Sequence, residues 1–491
     1  MIDLTVHKEQ LQRAIDRARE NNIVIPTFAQ MRDPKLIPDK IKNALKNVGL
    51  WDVNPLNLFR ISWHNEPTMD GGTYGGVNYI ELPPELTGVK CRIIALCGKW
   101  FPTGCHKVGA SFGCLAPRLV TGQFDPTYNK AVWPSTGNYC RGGAYNSKLL
   151  GCDSIAILPA EMSRERFDWL STIAGEVIAT PGCESNVKEI FDKTHELRAT
   201  RKDVVIFNQF DEMGNVLWHY QVTGSALKEA FETVKRPGDR FAGACFTSGS
   251  AGTMSSGDYL KEQYPSLMLA VGEALQCPTL LNNGFGGHRI EGIGDKHVPW
   301  VHNVKNTDMV IAIDDEDSQN LLRLFNTETG HKYLRDVAGV PQKTIDELSL
   351  LGISGIANVL CCIKMAKYYE LTEHDVVATV LTDSAIMYSS RITELDEQQG
   401  EYDMLTAARD FSEHIHGLRT DNMEELTYIE RKRIHNLKYY TWVEQQGKTY
   451  EEINAQWYDE NYWTSIHAQA DELDKLINDF NEKSGVLASM K

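Results

Sequence analysis

The chain has 491 residues, of which 42% are hydrophobic and 24% are charged, and its formal net charge is −16. This length exceeds one ordinary hydrophobic core, so we expect two or three compact units. The negative charge argues against nucleic acid or an anionic membrane surface as the main partner, because both require a positive protein face.

Membrane insertion and secretion are also disfavoured. No apolar run is long enough to cross a bilayer, and the N-terminus lacks a basic segment followed by an apolar one. The 11 cysteines have no metal-like spacing, so buried free thiols are the simpler interpretation. These features predict a cytoplasmic protein without a metal site.

Residues 1–50 are predicted to form an N-terminal helical arm. Leu11, Ala14, Ile15 and Ala18 lie on one helical stripe, and a stretch punctuated by prolines follows. The stripe predicts an arm that packs against the protein or contributes to an oligomer.

Lys107 follows the first clear strand pattern of the central region. The apolar run 93–96 is interrupted by Pro102 and Gly104, and residues 108–115 favour a helix. Backbone dipoles at a helix N-terminus favour a neutral, nucleophilic amine. Taken alone, however, Lys107 is better interpreted as a solvated surface lysine.

Short apolar runs alternate with helical patterns between about residues 90 and 390. The runs are 155–158, 176–179, 204–207, 242–246, 267–271, 309–313 and 376–381. This alternation predicts an α/β fold in roughly two lobes, with parallel sheets flanked by helices. Ligands in such folds bind beyond the carboxyl ends of the strands.

Three turns that follow apolar runs are candidate binding segments. Residues 135–139 offer hydroxyls and N–H groups to a carboxylate, or they cap a helix. Residues 249–253 are small enough to wrap a tetrahedral anion, or they form a plain turn. Ser384 offers a neutral hydroxyl to a ring nitrogen, or Asp383 and Ser384 cap a helix.

An amine, a phosphate cup, an amide and a hydroxyl are the contacts that pyridoxal 5′-phosphate requires. Over residues 90–391 the sequence resembles the fold type II pyridoxal-phosphate enzymes of the tryptophan synthase β-like superfamily, most closely the cysteine synthase and cystathionine β-synthase group. Phe101-Pro-Thr-Gly-Cys-His-Lys107 is similar to the group's Asn-Pro-Ser/Thr-Gly-Ser-x-Lys motif. Further similar segments are Ser135–Cys140, Gln209–Phe210, Gly249–Thr253, Gly287–Gly294, Leu351–Gly355 and Asp383–Ser384.

The resemblance implies roles for the matched residues. Lys107 would form the internal aldimine with pyridoxal 5′-phosphate and then act as general base on the α-hydrogen. The implied cofactor contacts are Asn138 at the phenolic oxygen, Gly249, Ser250, Ala251, Gly252 and Thr253 at the phosphate, and Ser384 at the pyridine nitrogen. The implied substrate contacts are Ser135, Thr136, Tyr139 and Gln209.

A serine at the ring nitrogen makes the cofactor a weaker electron sink, which favours loss of a β-substituent over transamination. The resemblance therefore implies a lyase or transferase that performs β-elimination or β-replacement on a small amino acid through an aminoacrylate. The alternatives are an ammonia-lyase or dehydratase that releases a 2-oxo acid, and a non-catalytic regulatory protein that binds the cofactor.

Two departures from the group's pattern affect the substrate side. Tyr139 replaces a small threonine, so its phenol reshapes the pocket, donates a proton or packs in the core. Asp295, Lys296 and His297 replace small residues near the mouth of the site. Asp295 would select a substrate with a polar or charged side chain, or the three residues form a solvated rim.

The sequence predicts three parts: the arm 1–50, a two-lobed catalytic core 51–391, and a helical C-terminal extension 392–491. The extension is rich in acidic and aromatic residues and has a helical stripe at Leu473, Leu476, Ile477 and Phe480. We expect it to form an added helical layer or a cap on a homodimer.

Overall fold

The computed structural model describes residues 1–135, 137–162, 164–182 and 186–490. Within these residues the strands form a seven-stranded sheet and a four-stranded sheet. The strands are β1 (Tyr79–Leu82), β2 (Arg92–Cys97), β3 (Lys130–Pro134), β4 (Asp153–Pro159), β5 (Glu176–Thr180), β6 (Val204–Ile206), β7 (Arg240–Thr247), β8 (Met268–Ala274), β9 (Met309–Ile313), β10 (Asp375–Leu381) and β11 (Met423–Glu425).

The large sheet has the order β1-β2-β10-β7-β8-β9-β11. Its five inner strands are parallel, and β1 and β11 are antiparallel edge strands. Leu381 at the end of β10 pairs with Cys97 at the end of β2. The turns that follow these two strands therefore meet at one edge of the sheet.

The small sheet has the order β5-β4-β3-β6 and is parallel throughout. Pro134 at the end of β3 pairs with Ile157, and Val132 pairs with Ile206 at the end of β6. The turns after β3 and β6 therefore also lie at one edge.

The helices up to β7 are α1 (Lys8–Glu20), α2 (Phe28–Arg32), α3 (Asp39–Leu45), α4 (Pro84–Thr87), α5 (Lys107–Thr121), α6 (Asn138–Leu149), α7 (Arg164–Ile173), α8 (Val187–Thr200), α9 (Met213–Trp218) and α10 (Gly224–Val234). The later helices are α11 (Met254–Gln263), α12 (Thr279–Asn282), α13 (Asp315–Asn326), α14 (Glu328–Asp336), α15 (Gln342–Glu347), α16 (Ile353–Tyr368), α17 (Ser389–Gln399), α18 (Met404–Phe411), α19 (Tyr428–Lys438), α20 (Tyr450–Tyr458), α21 (Tyr462–His467), α22 (Gln469–Ser484) and α23 (Val486–Ser489).

Helices cover both faces of the large sheet, as the alternating pattern predicts. Every residue of β2 is buried. Ile94 and Leu96 pack in the cluster that contains α5, whereas Ile93 and Ala95 pack in the cluster that contains α16. Because successive side chains of a strand point to opposite faces, a strand covered on both faces is a continuous apolar run.

Helix α5, which begins at Lys107, packs very closely against α9. A Cβ on Gly109 would lie 2.0 Å from the Trp218 ring, and a Cβ on Gly113 would lie 2.3 Å from the Gly214 carbonyl oxygen. Only glycine permits this approach, and the tight packing fixes the position of the Lys107 end of the helix.

The N-terminal and C-terminal segments contact each other. Helix α1 buries Ala14, Ile15 and Ala18 and packs against α5 and α22. The Ile25 N–H donates to Asn481 Oδ1 at 2.9 Å. The division of the chain at residues 51 and 392 stays a prediction.

The C-terminal extension is mainly helical, but it also contributes β11, which the sequence analysis does not predict. Met423–Glu425 pairs with β9, and its two glutamates hide the apolar alternation expected of a strand. Among the described residues, no helix combines the length and apolar character needed to cross a membrane.

Candidate active site

Lys107 is the first residue of α5, the helix that follows β2. The turn before it contains two left-handed residues, Thr103 (φ 68°) and Gly104 (φ 70°). This conformation costs a β-branched residue about 1–2 kcal/mol. Thr103 is fully buried, so the surrounding packing holds the turn in this strained shape.

The Lys107 amine forms hydrogen bonds with residues that follow strands of both sheets. Its Nζ donates to Ser250 Oγ at 3.0 Å and to Gln209 Oε1 at 3.2 Å. Ser250 follows β7 of the large sheet, and Gln209 follows β6 of the small sheet. The amine therefore lies at the carboxyl ends of the strands, where ligands bind in α/β folds.

A cavity of about 20 Å³, enough for about one water molecule, surrounds the amine. The cavity is lined by Lys107, Ser135, Asn138, Tyr139, Gln209, Phe210, Gly249, Ser250, Gly292, Ile293, Asp295 and Thr382. Eight of these are residues that the sequence analysis predicts for the site. Ala251, Gly252 and Thr253 continue the loop of Ser250, Ser384 follows two residues after Thr382, and Thr136 lies outside the described residues.

Residues 249–253 form a cradle of backbone donors before α11. In the described part of the chain, no backbone N–H from Gly249 to Thr253 donates to a protein acceptor. A Cβ on Gly252 would lie 2.1 Å from Asn215 Oδ1, so the loop has no room for a side chain there. Free N–H groups at a helix N-terminus fit a phosphate, which is one end of pyridoxal 5′-phosphate.

Two buried oxygens fit the ring of the same cofactor. Asn138 Oδ1 and Ser384 Oγ are buried and have no hydrogen-bond partner among the described residues. Ser384 precedes a short 3₁₀ helix but makes no capping hydrogen bond, so the helix-cap alternative is not supported. Because buried polar atoms normally have partners, both oxygens are suited to receive a ligand.

Asp383 lies in a buried hydrogen-bond network beside these residues. Its Oδ2 accepts from Asn138 Nδ2 and from the Tyr388 hydroxyl, each at 2.7 Å. Arg166 donates to Tyr388 at 3.3 Å and pairs with Glu291 at 2.7 Å. Burial raises the pKa of Asp383, and the hydrogen bonds from Tyr388 and Asn138 oppose that shift.

Tyr139 lines the cavity, but its hydroxyl is used in packing. The hydroxyl donates to Cys114 Sγ of α5 at 3.4 Å, and the ring packs edge-on against Trp133 at 5.4 Å. Burial raises the pKa of this phenol well above its usual value. Of the three alternatives for Tyr139, this geometry favours packing over proton donation.

The substrate side of the cavity is polar and enclosed. Gln209 Nε2 donates to Ser135 Oγ at 3.2 Å, and the Asp295 carbonyl accepts from Thr279 at 2.7 Å. Asp295 and His297 are each only 9% exposed. This burial argues against the solvated rim, although Lys296 between them is exposed.

Two buried histidines, His106 and His219, lie beside Lys107, and their ring centroids are 5.1 Å apart. Burial lowers the pKa of His106 to about 3, with a further contribution from Lys107. Burial also lowers the pKa of His219 well below its usual value. Both rings are therefore neutral near pH 7 and place no additional positive charge next to the amine.

Asn215 is a site residue that the sequence analysis does not identify. Its Nδ2 donates to Ser250 Oγ at 3.1 Å and to the Gln209 carbonyl at 3.0 Å. It therefore supports both partners of the Lys107 amine. A single asparagine early in a helix gives no sequence signal for this role. Among the described residues, no group of three potential metal ligands occurs.

No family model matches the chain, but curated proteins do. The chain is 29% identical over 230 residues to a "Probable cysteine synthase" of Bacillus subtilis, covering 47% of this chain and 72% of that protein. It is 28% identical over 260 residues to cysteine synthase of Staphylococcus aureus, covering 53% and 75%. It is 26% identical over 320 residues to cystathionine β-synthase of Saccharomyces cerevisiae, covering 63% of this chain and 59% of that protein.

The chain is a homologue of the cysteine synthase and cystathionine β-synthase group. This homology confirms the expected enzyme class and its cofactor, pyridoxal 5′-phosphate. Solved structures with the same fold include the cysteine synthase of Entamoeba histolytica, with a TM-score of 0.55 and 18% identity over 69% of this chain and 93% of that one. Another is the O-acetylserine-dependent cystathionine β-synthase of Helicobacter pylori, with a TM-score of 0.52 and 22% identity over 64% and 94%.

These neighbours confirm the predicted fold type II architecture. The loop 249–253 contains one residue other than glycine in a left-handed conformation. Ala251 has φ 60°, a left-handed conformation that glycine adopts without cost. The loop thus holds a residue with a methyl group in a backbone conformation that favours glycine.

Proposed function

We propose that this protein uses pyridoxal 5′-phosphate to eliminate or replace the β-substituent of a small amino acid. One observation carries the proposal: four chemically distinct contacts converge at one edge of the sheets. They are the amine of Lys107, the N–H cradle 249–253, the amide of Asn138 and the hydroxyl of Ser384.

The cofactor, when bound, supplies an aldehyde that condenses with amines and a ring that withdraws electrons. Lys107 Nζ would be the amine that holds it. As a free amine, Lys107 would take the proton from the substrate's α-carbon. Ser250 Oγ and Gln209 Oε1 accept hydrogen bonds from Nζ at 3.0 and 3.2 Å and hold it inside the cavity.

Ser384 favours elimination over transamination. A serine hydroxyl is neutral, so it leaves a ring nitrogen largely unprotonated, which limits electron withdrawal. Loss of a good β-leaving group requires less stabilisation of negative charge at the α-carbon than transamination does. Ser384 therefore supports a lyase or β-replacement activity.

The substrate carboxylate would bind between Ser135 and Gln209 at the N-terminus of α6, with Thr136 as the further predicted contact. Backbone N–H groups and the helix dipole favour an anion there. Asp295 lines the same cavity and would select substrates that have a polar or charged side chain. The homodimer and the cytoplasmic location stay predictions.

A panel of amino acids with β-leaving groups tests this function. The purified protein, loaded with cofactor, is mixed with each amino acid with and without sulfide or another thiol. Consumption of the thiol supports β-replacement, whereas a 2-oxo acid formed without thiol consumption supports elimination or an ammonia-lyase. A loaded protein that leaves every amino acid unchanged would support the non-catalytic alternative.

A further inference from the structure

The substrate side of the cavity continues into a segment that we call the wall, residues 295–302. The wall begins at Asp295, which lines the cavity. The Val301 N–H donates to the Phe210 carbonyl at 3.1 Å, and the His297 ring lies 4.8 Å from the Phe210 ring. Because Phe210 also lines the cavity, the wall shapes the site at two points.

The side chain of Lys438, in the C-terminal extension, donates hydrogen bonds to the backbone of the wall. Its ammonium group is fully buried and donates to the carbonyls of Trp300 at 2.9 Å and His302 at 2.7 Å. It donates a third hydrogen bond to Gln456 Oε1 at 2.7 Å. An ammonium group has three donors, so all of them are used.

Trp442, about one helical turn after Lys438, also donates a hydrogen bond to the backbone of the wall. Its indole N–H donates to the Val298 carbonyl at 2.8 Å. Its ring lies 5.7 Å from His297 and 6.3 Å from Phe191 of α8. Three carbonyls of the wall therefore accept hydrogen bonds from the extension.

The extension also contacts the segment that follows β6 of the small sheet. Lys448 pairs with Asp211 at 3.0 Å, and Asp211 directly follows Phe210. Gln446 contacts His195 of α8 at 3.2 Å. The segment 438–448 thus connects the wall, which follows β8, to the segment after β6 of the small sheet.

Burying this amine is costly, because its three acceptors are neutral oxygens and desolvation lowers the pKa of Lys438 well below its usual value. Packing an extra helical layer against the core does not require such a group. Lys438 does, however, fix the direction of two carbonyls, which a purely apolar contact cannot do.

We propose that the C-terminal extension positions the substrate side of the active site, with Lys438 and Trp442 as positioning residues that hold the wall. The catalytic consequence rests on the proposed function, but the structural role does not. Loosening the wall would displace Asp295 and Phe210, which weakens substrate binding without removing Lys107 or the cofactor contacts.

The test uses the full-length protein loaded with cofactor and three variants. Trp442→Phe keeps a ring but removes the indole donor, and Lys438→Met removes the ammonium group. Lys432→Met is the matched control, because Lys432 lies on the same helix and its ammonium group faces the Trp457 and Tyr458 rings. The readouts are amide hydrogen exchange across 295–302, and kcat and KM for the preferred amino acid.

Trp442→Phe is expected to accelerate exchange in 295–302 and to raise KM about fivefold, as for one lost hydrogen bond. Lys438→Met, which removes three hydrogen bonds, is expected to have at least this effect. The control should change neither readout, and kcat should change less than KM. Unchanged exchange in Trp442→Phe overturns the positioning role, and faster exchange with unchanged KM overturns its link to the substrate. If Lys438→Met does not fold, Trp442→Phe alone decides.

Failure of the proposed function gives a different pattern. The wild-type protein would then show no turnover of any amino acid, while the exchange comparison still tests whether the extension holds the wall.

Discussion

Asn138 Nδ2 donates to Asp383 Oδ2 at 2.7 Å, which joins the start of α6 to the turn after β10. Asp383 Oδ2 is the acceptor of this hydrogen bond, so the nitrogen of the Asn138 amide faces Asp383. The second N–H and the oxygen of the amide remain for a ligand. Asp383 therefore orients the side chain that the resemblance places at the phenolic oxygen of the cofactor.

Asp383→Asn should weaken cofactor binding and change the visible absorbance of the bound cofactor. The oxygen of the new amide can still accept from Asn138 and Tyr388, but the side chain loses its negative charge, so both hydrogen bonds weaken. Weakening one buried charge-assisted hydrogen bond in this way corresponds to about a tenfold lower affinity. Titration of the apo protein with pyridoxal 5′-phosphate measures this.

Asp375→Asn is the control for a general effect on β10. Asp375 lies at the other end of that strand, where it pairs with Arg240 at 2.8 Å. This variant should change stability but not the absorbance of the bound cofactor. An Asp383→Asn protein that binds the cofactor as the wild type does would contradict the orienting role.

Much of the fold could be predicted because buried parallel strands are apolar runs. The runs at 309–313 and 376–381 match β9 and β10 closely. The edge strand β11 could not be predicted, because it is short and contains two glutamates. The pattern of apolar residues in a sequence indicates which residues are buried. The edge strand β11, which is held by three backbone pairs, has no buried residue.

The candidate site shows the same division. Lys107, the loop 249–253 and Ser384 could be proposed because each follows an apolar run and also resembles a motif of the cysteine synthase group. Lys438 could not, since its contacts with Trp300 and His302 span more than a hundred residues. A lysine in a helix is normally solvated, and only the folded structure shows its burial.

Gly252→Ala should disrupt the phosphate cradle. The added Cβ would lie 2.1 Å from Asn215 Oδ1, so Asn215 would have to move away from Ser250. We expect cofactor affinity to fall about tenfold or more, because hydrogen bonds to a charged phosphate are strong. Equilibrium titration with the cofactor measures the change.

Gly76→Ala is the matched control, because a Cβ at Gly76 meets no atom within 4 Å. It should bind the cofactor as the wild type does. Equal affinities of the two variants would show that the loop 249–253 does not hold the phosphate.

Asp295→Asn should change substrate preference more than the rate on any one substrate. The substitution keeps the shape but removes the negative charge from a residue that lines the cavity. We expect kcat/KM to fall about tenfold for substrates with a polar or cationic side chain, as for one charged hydrogen bond. Lys296→Ala, at an exposed neighbour, should not alter the preference. An unchanged order of substrates in Asp295→Asn would refute selection by this residue.

His297→Gln should reduce the loss of stability in acid. Burial lowers the pKa of His297 to about 3, so the folded protein keeps the ring neutral where the unfolded chain protonates it. The stabilisation is complete above pH 6.5 and is lost as the pH falls towards 3. Between pH 7 and pH 5 the variant should lose about 2 kcal/mol less unfolding free energy than the wild type.

Chemical denaturation at the two pH values measures this difference. His7→Gln is the control, because His7 is exposed. Equal losses in the wild type and His297→Gln would indicate that the aromatic surroundings of His297 tolerate its protonation.

Covalent capture of the cofactor tests the central claim most directly. The protein is incubated with pyridoxal 5′-phosphate, reduced with borohydride and digested, and the modified peptide is identified by mass. We predict the cofactor on Lys107, with no capture in Lys107→Ala and full capture in Lys99→Ala, its neighbour before the turn. Capture on another lysine, or undiminished capture in Lys107→Ala, would contradict the assignment of Lys107.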